Sequence, residues 1–265
     1  MTLKAITKER RHGLHSDYVY GPVQSRRLGV SLGVNILPRV RKICNFECPY
    51  CELGFTDSSQ KDKLPTVEAV IGELRQHLQY YKENGYEIDT ITYAGNGEPT
   101  LHPRFEQIID QTIVVRDELA AEAKIAVLTN ATRLDEPGVL RGLKKADERQ
   151  VKLDAGTEEV FQLVDLPAAG ITLAGIVDNI ARFDGDVTIQ TMFVRGTYDG
   201  KVVDNTTPAE VAAWLKLLDY LRPNNIQIYS LDRPPAARTL QKVPREDLEL
   251  IARQVRELGL NVQVF

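Results

Sequence analysis

The chain has 265 residues, 43% of them hydrophobic and 26% charged, the make-up of a globular protein with one large core or two small ones. Its 33 basic and 37 acidic residues leave a net charge of −4, so no overall positive field is available to grip a nucleic-acid backbone. No run approaches the ~18 apolar residues of a membrane span, and no apolar stretch follows the charges of the first residues, so neither a membrane segment nor a secretory leader is expected and the expected location is the cytoplasm.

A polar lead-in over residues 1–27 precedes the first β-type run, "VSLGVNIL" at 30–37. Further runs follow at 89–95, 124–130, 149–154, 186–194 and 225–231, several of them nearly continuous Val, Ile and Thr, as strands covered on both faces require. Between them lie helical patterns. One opens at Thr66 and ends by Gly85, "RFEQIIDQTIVVRDELAAEA" comes next, and Asp135 is placed to cap a short third helix. "TLAGIVDNIARF" precedes the fifth strand. "TPAEVAAWLKLLDYLR" has Thr207 and Glu210 at capping-box spacing with Pro208 at the first helical position, and Val211, Trp214, Leu215 and Leu218 fall on its core face. The tail adds an amphipathic helix and a short strand. Repeated strand–helix alternation predicts an α/β fold, a partial, open β/α barrel of about six units. A single domain over 1–265 is expected, with barrel core 28–232 and a C-terminal helix and strand in 233–265.

All three cysteines, Cys44, Cys48 and Cys51, lie within "KICNFECPYCELG", spaced C-x₃-C-x₂-C. The loop follows the first expected strand, which in a β/α barrel is the end where active sites are built. Three thiolates can hold three irons of a cubane cluster and leave the fourth open. A zinc site needs a fourth ligand, and the histidines (His12, His15, His77, His102) form no H-x₃₋₅-H pair. Three core cysteines are the remaining alternative, which a loop holding Asn45 and Pro49 disfavours.

With Tyr50 just before the third cysteine, the segment resembles the radical S-adenosylmethionine (SAM) superfamily, whose signature is C-x₃-C-x-aromatic-C. Later motifs fit the resemblance over residues 20–235. "GNGEP" (95–99) ends the second strand, where the family cradles the methionine amino group. "TN" (129–130), "KLD" (152–154) and "QIYSL" (227–231) end later strands, where such enzymes contact ribose and adenine. The flanks, "YGPVQSRRLGVSLGVNILP" and "LDRPP", resemble a branch related to tRNA wyosine-synthesis enzymes, with Gln24 and Asn35 where a proline and an aspartate are expected. The second cluster of those enzymes needs additional cysteines, and this chain has none.

The resemblance implies that Cys44, Cys48 and Cys51 bind a [4Fe–4S] cluster whose open iron takes SAM. Reductive cleavage of SAM would then give methionine and a 5′-deoxyadenosyl radical that abstracts hydrogen from an unidentified substrate. It implies SAM contacts at Tyr50, Gly95, Asn96, Gly97, Glu98, Thr129, Asn130, Lys152, Asp154, Gln190 and Tyr229, and an electron donor such as a flavodoxin or ferredoxin. Arg26, Arg27 and Arg233 are the substrate candidates, because guanidinium groups at a barrel mouth suit a phosphate or carboxylate. The alternatives are a non-catalytic iron–sulfur or zinc protein that kept the fold, and a tRNA-modifying enzyme of the same superfamily.

Overall fold

The computed structural model describes residues 13–57, 59 and 62–265, so positions 1–12 of the expected lead-in lie outside the described residues. The chain forms two compact units. The first holds the residues up to Cys44, Thr56–Thr129 and Arg133–Arg149, and the second Asn45–Phe55, Asn130–Thr132 and Gln150–Phe265.

The first unit runs β1 (Val19–Ser25), β2 (Gly29–Val34), α1 (Val67–Glu83), β3 (Thr90–Tyr93), α2 (Phe105–Leu119), β4 (Lys124–Thr129) and α3 (Pro137–Lys145). β2, β3 and β4 are parallel neighbours, and β1 pairs antiparallel with β2. Strand alternation sorts the side chains. Leu32, Val34, Ile91, Tyr93, Ile125 and Val127 share one face in register and are fully buried, and the Tyr93 hydroxyl meets Thr112 on α2. The other face carries Ser31, Gly33, Thr90 and Thr92, small and mostly hydroxylated, with Ser31 and Thr92 bonded at 2.7 Å.

Part of the lead-in is therefore structured. β1 falls where a polar approach was expected, because "VYGPVQS" holds a glycine and a proline that mask its strand pattern. Tyr20 faces Gly33 across the pair and lies over it, since a Cβ on Gly33 would stand 2.2 Å from the Tyr20 ring. His15 stacks on Tyr20 with ring centroids 3.5 Å apart.

β5 (Glu148–Lys152) carries the chain into the second unit. There follow α4 (Glu158–Val164), α5 (Leu173–Ala181), β6 (Thr188–Met192), β7 (Val194–Tyr198), β8 (Lys201–Asp204), α6 (Pro208–Leu221), β9 (Asn225–Tyr229), β10 (Leu240–Lys242), α7 (Arg245–Glu257) and β11 (Val262–Val264). β5, β6, β9 and β11 are parallel in that order. β7, β8 and β10 form a separate antiparallel sheet that the sequence reading did not contain. Its turn, Asp199–Gly200, has positive φ at both residues, the Asp-Gly hairpin signal that could have announced it. The six expected strand–helix units are present.

The expected caps at Thr66 and Thr207 each accept an amide from the first turn of their helix, and Thr172, not singled out from the sequence, does the same for α5. Asp135 does not cap α3: Pro137 occupies the first turn and Glu136 stands at the cap without a side-chain bond to the helix amides. Val211, Trp214 and Leu218 are buried, whereas Leu215 is only half-buried. Glu210 does not fold back on its own helix as a capping box would. Its carboxylate instead accepts the amides of Gly156 and Thr157 and the Thr157 hydroxyl, which itself caps α4. Glu210→Ala should therefore cost more than loss of a cap. We expect about 2–4 kcal/mol in urea unfolding against about 1 kcal/mol for Thr207→Ala. Equal costs would show that Glu210 does not join the two helices.

Candidate functional site

In the first unit the turn after β3 grips the start of the cysteine loop. The Ile43 amide donates to the Asn96 carbonyl at 2.9 Å, and the Glu98 amide donates to the Ile43 carbonyl at 2.9 Å. Gly97 has φ +136, and a Cβ there would stand 1.8 Å from the Ile43 oxygen. Gly95 is equally committed, with Asn35 Oδ1 2.6 Å from its would-be Cβ. The glycines of "GNGEP" thus let one backbone approach another.

Asn96 is fully buried. Its Oδ1 accepts the His15 amide at 2.8 Å, and its Nδ2 donates to the carbonyls of His15 and Pro38 at 2.9 and 2.8 Å. Asn35 accepts the amides of Leu37 and Asn96. Glu98 Oε1 accepts the Thr100 amide and hydroxyl and the Thr129 hydroxyl, at 3.0, 2.6 and 2.7 Å. Cys44 in this unit is half-buried. Arg26 and Arg27 are exposed in the turn that leads into β2. The chain leaves β2 for the cysteine loop from the other end of that six-residue strand.

The second unit holds Cys48, buried, and Cys51, half-buried, with the Cys51 amide donating to the Cys48 carbonyl at 3.0 Å. None of the three cysteines is in a disulfide. Tyr50 is buried, and its hydroxyl donates to Asp154 Oδ2 at 2.5 Å and Asp165 Oδ1 at 3.1 Å. Lys152 Nζ lies 2.8 Å from Asp154 Oδ2 and 4.9 Å from the centre of the Tyr50 ring. Asp154 Oδ1 accepts the Met192 amide at 2.7 Å.

Burial and neighbouring charge shift Tyr50, Lys152 and Asp165. Burial raises the Tyr50 phenol well above its ordinary range, and the negative charges of Asp154, Cys48 and Asp165 push the same way. Burial works to lower Lys152, but Asp154 and the other negative groups overcome it and hold the ammonium well above its usual value. Asp165 is raised by burial and by Asp154 beside it. Asp165 is not among the site residues expected from the sequence; its only local sign is a Pro two residues on.

Asn130 donates to Asn45 Oδ1 at 2.7 Å, and Asn45 donates to the Thr132 hydroxyl at 2.6 Å, so Asn130 supports the cysteine loop. Gln190 is buried and donates through Nε2 to Gln150 at 2.6 Å and Gln227 at 2.9 Å. Tyr229 is half-buried at the end of β9. Arg233 is exposed and pairs with Glu52 at 2.6 Å. Among the described residues no three His, Cys, Asp or Glu side chains are close enough to hold a single metal ion, and no helix is long and apolar enough to cross a membrane.

The Radical SAM superfamily model matches residues 40–204, which include the three cysteines, the "GNGEP" turn and the Lys152–Asp154 pair. The chain belongs to the radical SAM superfamily. It is 33% identical over 231 residues to a UPF0026 protein of Synechocystis sp., covering 84% of this chain and 78% of that one. Among solved structures it is similar to a radical SAM methyltransferase from Sphaerobacter thermophilus, with a TM-score of 0.64 at 17% identity, covering 89% of this chain and 66% of that one. It is also similar to SuiB of Streptococcus suis bound to S-adenosylmethionine, with a TM-score of 0.62 at 15% identity, covering 96% of this chain and 52% of that one. The chain thus spans about half to two thirds of these solved proteins, and the likeness is one of fold: an α/β radical SAM fold with a mostly parallel sheet.

Within this radical SAM fold, Gly97→Ala should collide with the Ile43 carbonyl and cost at least about 3 kcal/mol in chemical unfolding. Gly54, also at positive φ but with open space around it, is the control, and Gly54→Ala should cost about 1 kcal/mol. Similar costs at both positions would remove the backbone contact as the reason for Gly97.

Proposed function

We propose that this enzyme reductively cleaves SAM at a single [4Fe–4S] cluster held by Cys44, Cys48 and Cys51, to start hydrogen abstraction from an unidentified substrate. The observation that carries the reading is the set of three cysteines, none in a disulfide, spaced C-x₃-C-x₂-C inside the family-matched region. The donors fit the group, because soft thiolates are what such clusters take and three of them leave one iron for another ligand. When bound, the cluster supplies the single electron that breaks a carbon–sulfur bond of SAM.

The residues of the chain then bind and orient. Glu98, whose Oε1 is fixed by three donors, is the candidate for the SAM ammonium. Lys152 presents a cation anchored by Asp154 at the end of β5, and Tyr50 and Tyr229 are the candidate adenine contacts. Asn96, Gly95, Gly97, Asn130 and Gln190 act through the framework, since their side chains or missing side chains serve the protein's own contacts. Arg26, Arg27 and Arg233 are the candidates for an acidic group on the substrate. A flavodoxin or ferredoxin is the proposed electron donor.

Anaerobic reconstitution with iron and sulfide, then dithionite and SAM, tests the reading. We expect 5′-deoxyadenosine from the parent protein and none from Cys44→Ala, Cys48→Ala or Cys51→Ala. Each variant should lose the cluster absorbance and keep the parent far-UV circular dichroism. Full absorbance in any one of them would remove that cysteine from the ligand set, and a loaded parent protein giving no product would favour a binding role.

A further inference from the structure

Asp165 caps the C-terminus of α4 and is 2% exposed, an uncommon place for a carboxylate. Its Oδ1 accepts the Tyr50 hydroxyl at 3.1 Å and the Cys48 thiol at 3.5 Å. Its backbone serves the same loop. The Glu47 amide is shared by the carbonyls of Asp165 and Leu166, each at 3.1 Å, and the Ala168 amide donates to the Asn45 carbonyl at 2.9 Å. Phe46 and Pro167 form an antiparallel bridge between these contacts. Leu166 has φ +42, a left-handed conformation that a leucine rarely adopts and that packing must hold in place.

Residues 165–168 therefore form a strap that pairs with residues 45–47 and sends one carboxylate oxygen onto the side chains at 48 and 50. We propose that Asp165 is a positioning residue for Cys48, aiming the second thiol of the motif before any metal arrives. The consequence for metal loading rests on the cluster reading above; the aiming of the thiol does not.

Three variants of the full chain separate position from packing: Asp165→Ala removes the acceptor, Asp165→Glu displaces it by one methylene, and Asp165→Asn keeps an oxygen in place. The metal-free, reduced protein is alkylated with iodoacetamide under anaerobic conditions, and labelling at Cys48 is read by mass spectrometry relative to Cys44 and Cys51. The Ala and Glu variants should raise this ratio about 3- to 10-fold, the factor a lost hydrogen bond supplies, and the Asn variant should stay near the parent. The same pair should take up about half the parent's iron or less on reconstitution, with the Asn variant restored.

An unchanged Cys48 ratio in both the Ala and Glu variants overturns the proposal, and so does an Asn variant as reactive as the Ala one. Should the Ala variant prove insoluble, the Glu and Asn pair decides by the same ratio. If labelling shifts as stated while even the parent binds no iron, the positioning of Cys48 stands and the cluster reading falls.

Discussion

The carbonyl and amide of Ile43 lie against the turn after β3, bonded to Asn96 and Glu98, in a space that exists because residue 97 has no side chain. The position of the first cysteine depends on that contact, since Cys44 is the next residue. Other segments are fixed to the same turn. Asn96 ties in His15 and Pro38, Asn35 ties in Leu37, and His15 in turn stacks on Tyr20 over Gly33. Each tie satisfies backbone groups that burial would otherwise leave without partners. Chain segments around positions 15, 35–43 and 95–98, far apart in sequence, thus share one set of hydrogen bonds.

The second unit solves a related problem with charge. Lys152, Asp154, Asp165 and Tyr50 gather where an unpaired ion is expensive, and each has a partner of opposite charge or a hydrogen bond. Such a group gives less net stability than an apolar core of the same volume, because desolvation offsets the attraction. Its arrangement makes sense as a means of holding Tyr50, and with it the loop between Cys48 and Cys51, in one orientation.

The parallel strands were legible because a strand covered on both faces must be apolar along its length, and "TITY" and "KIAVLT" have little room for another reading. The caps at Thr66 and Thr207 were legible because the bonding is local. β1 was hidden by Gly21 and Pro22, and the sheet of β7, β8 and β10 by running on almost directly from β6, with only Phe193 between. At the site, the cysteines announce themselves by spacing alone. Asp165 could not, since its partners Cys48 and Tyr50 lie 117 and 115 residues away and nothing local marks the contact. The sequence of "GNGEP" suggests a cradle for a ligand, whereas Gly97 admits Ile43 and Gly95 admits Asn35, contacts that nothing local in the sequence marks.

The glutamines across β5, β6 and β9 carry a consequence for how this sheet can vary over evolution. Gln190 gives its amide hydrogens to Gln150 on one side and Gln227 on the other. Replacing it with an apolar residue removes a hydrogen bond from two buried glutamines at once, whereas replacing an outer glutamine removes one. Drift at the three positions is therefore epistatic. A change at the centre disturbs both neighbours, so the three positions tolerate change best when they change together.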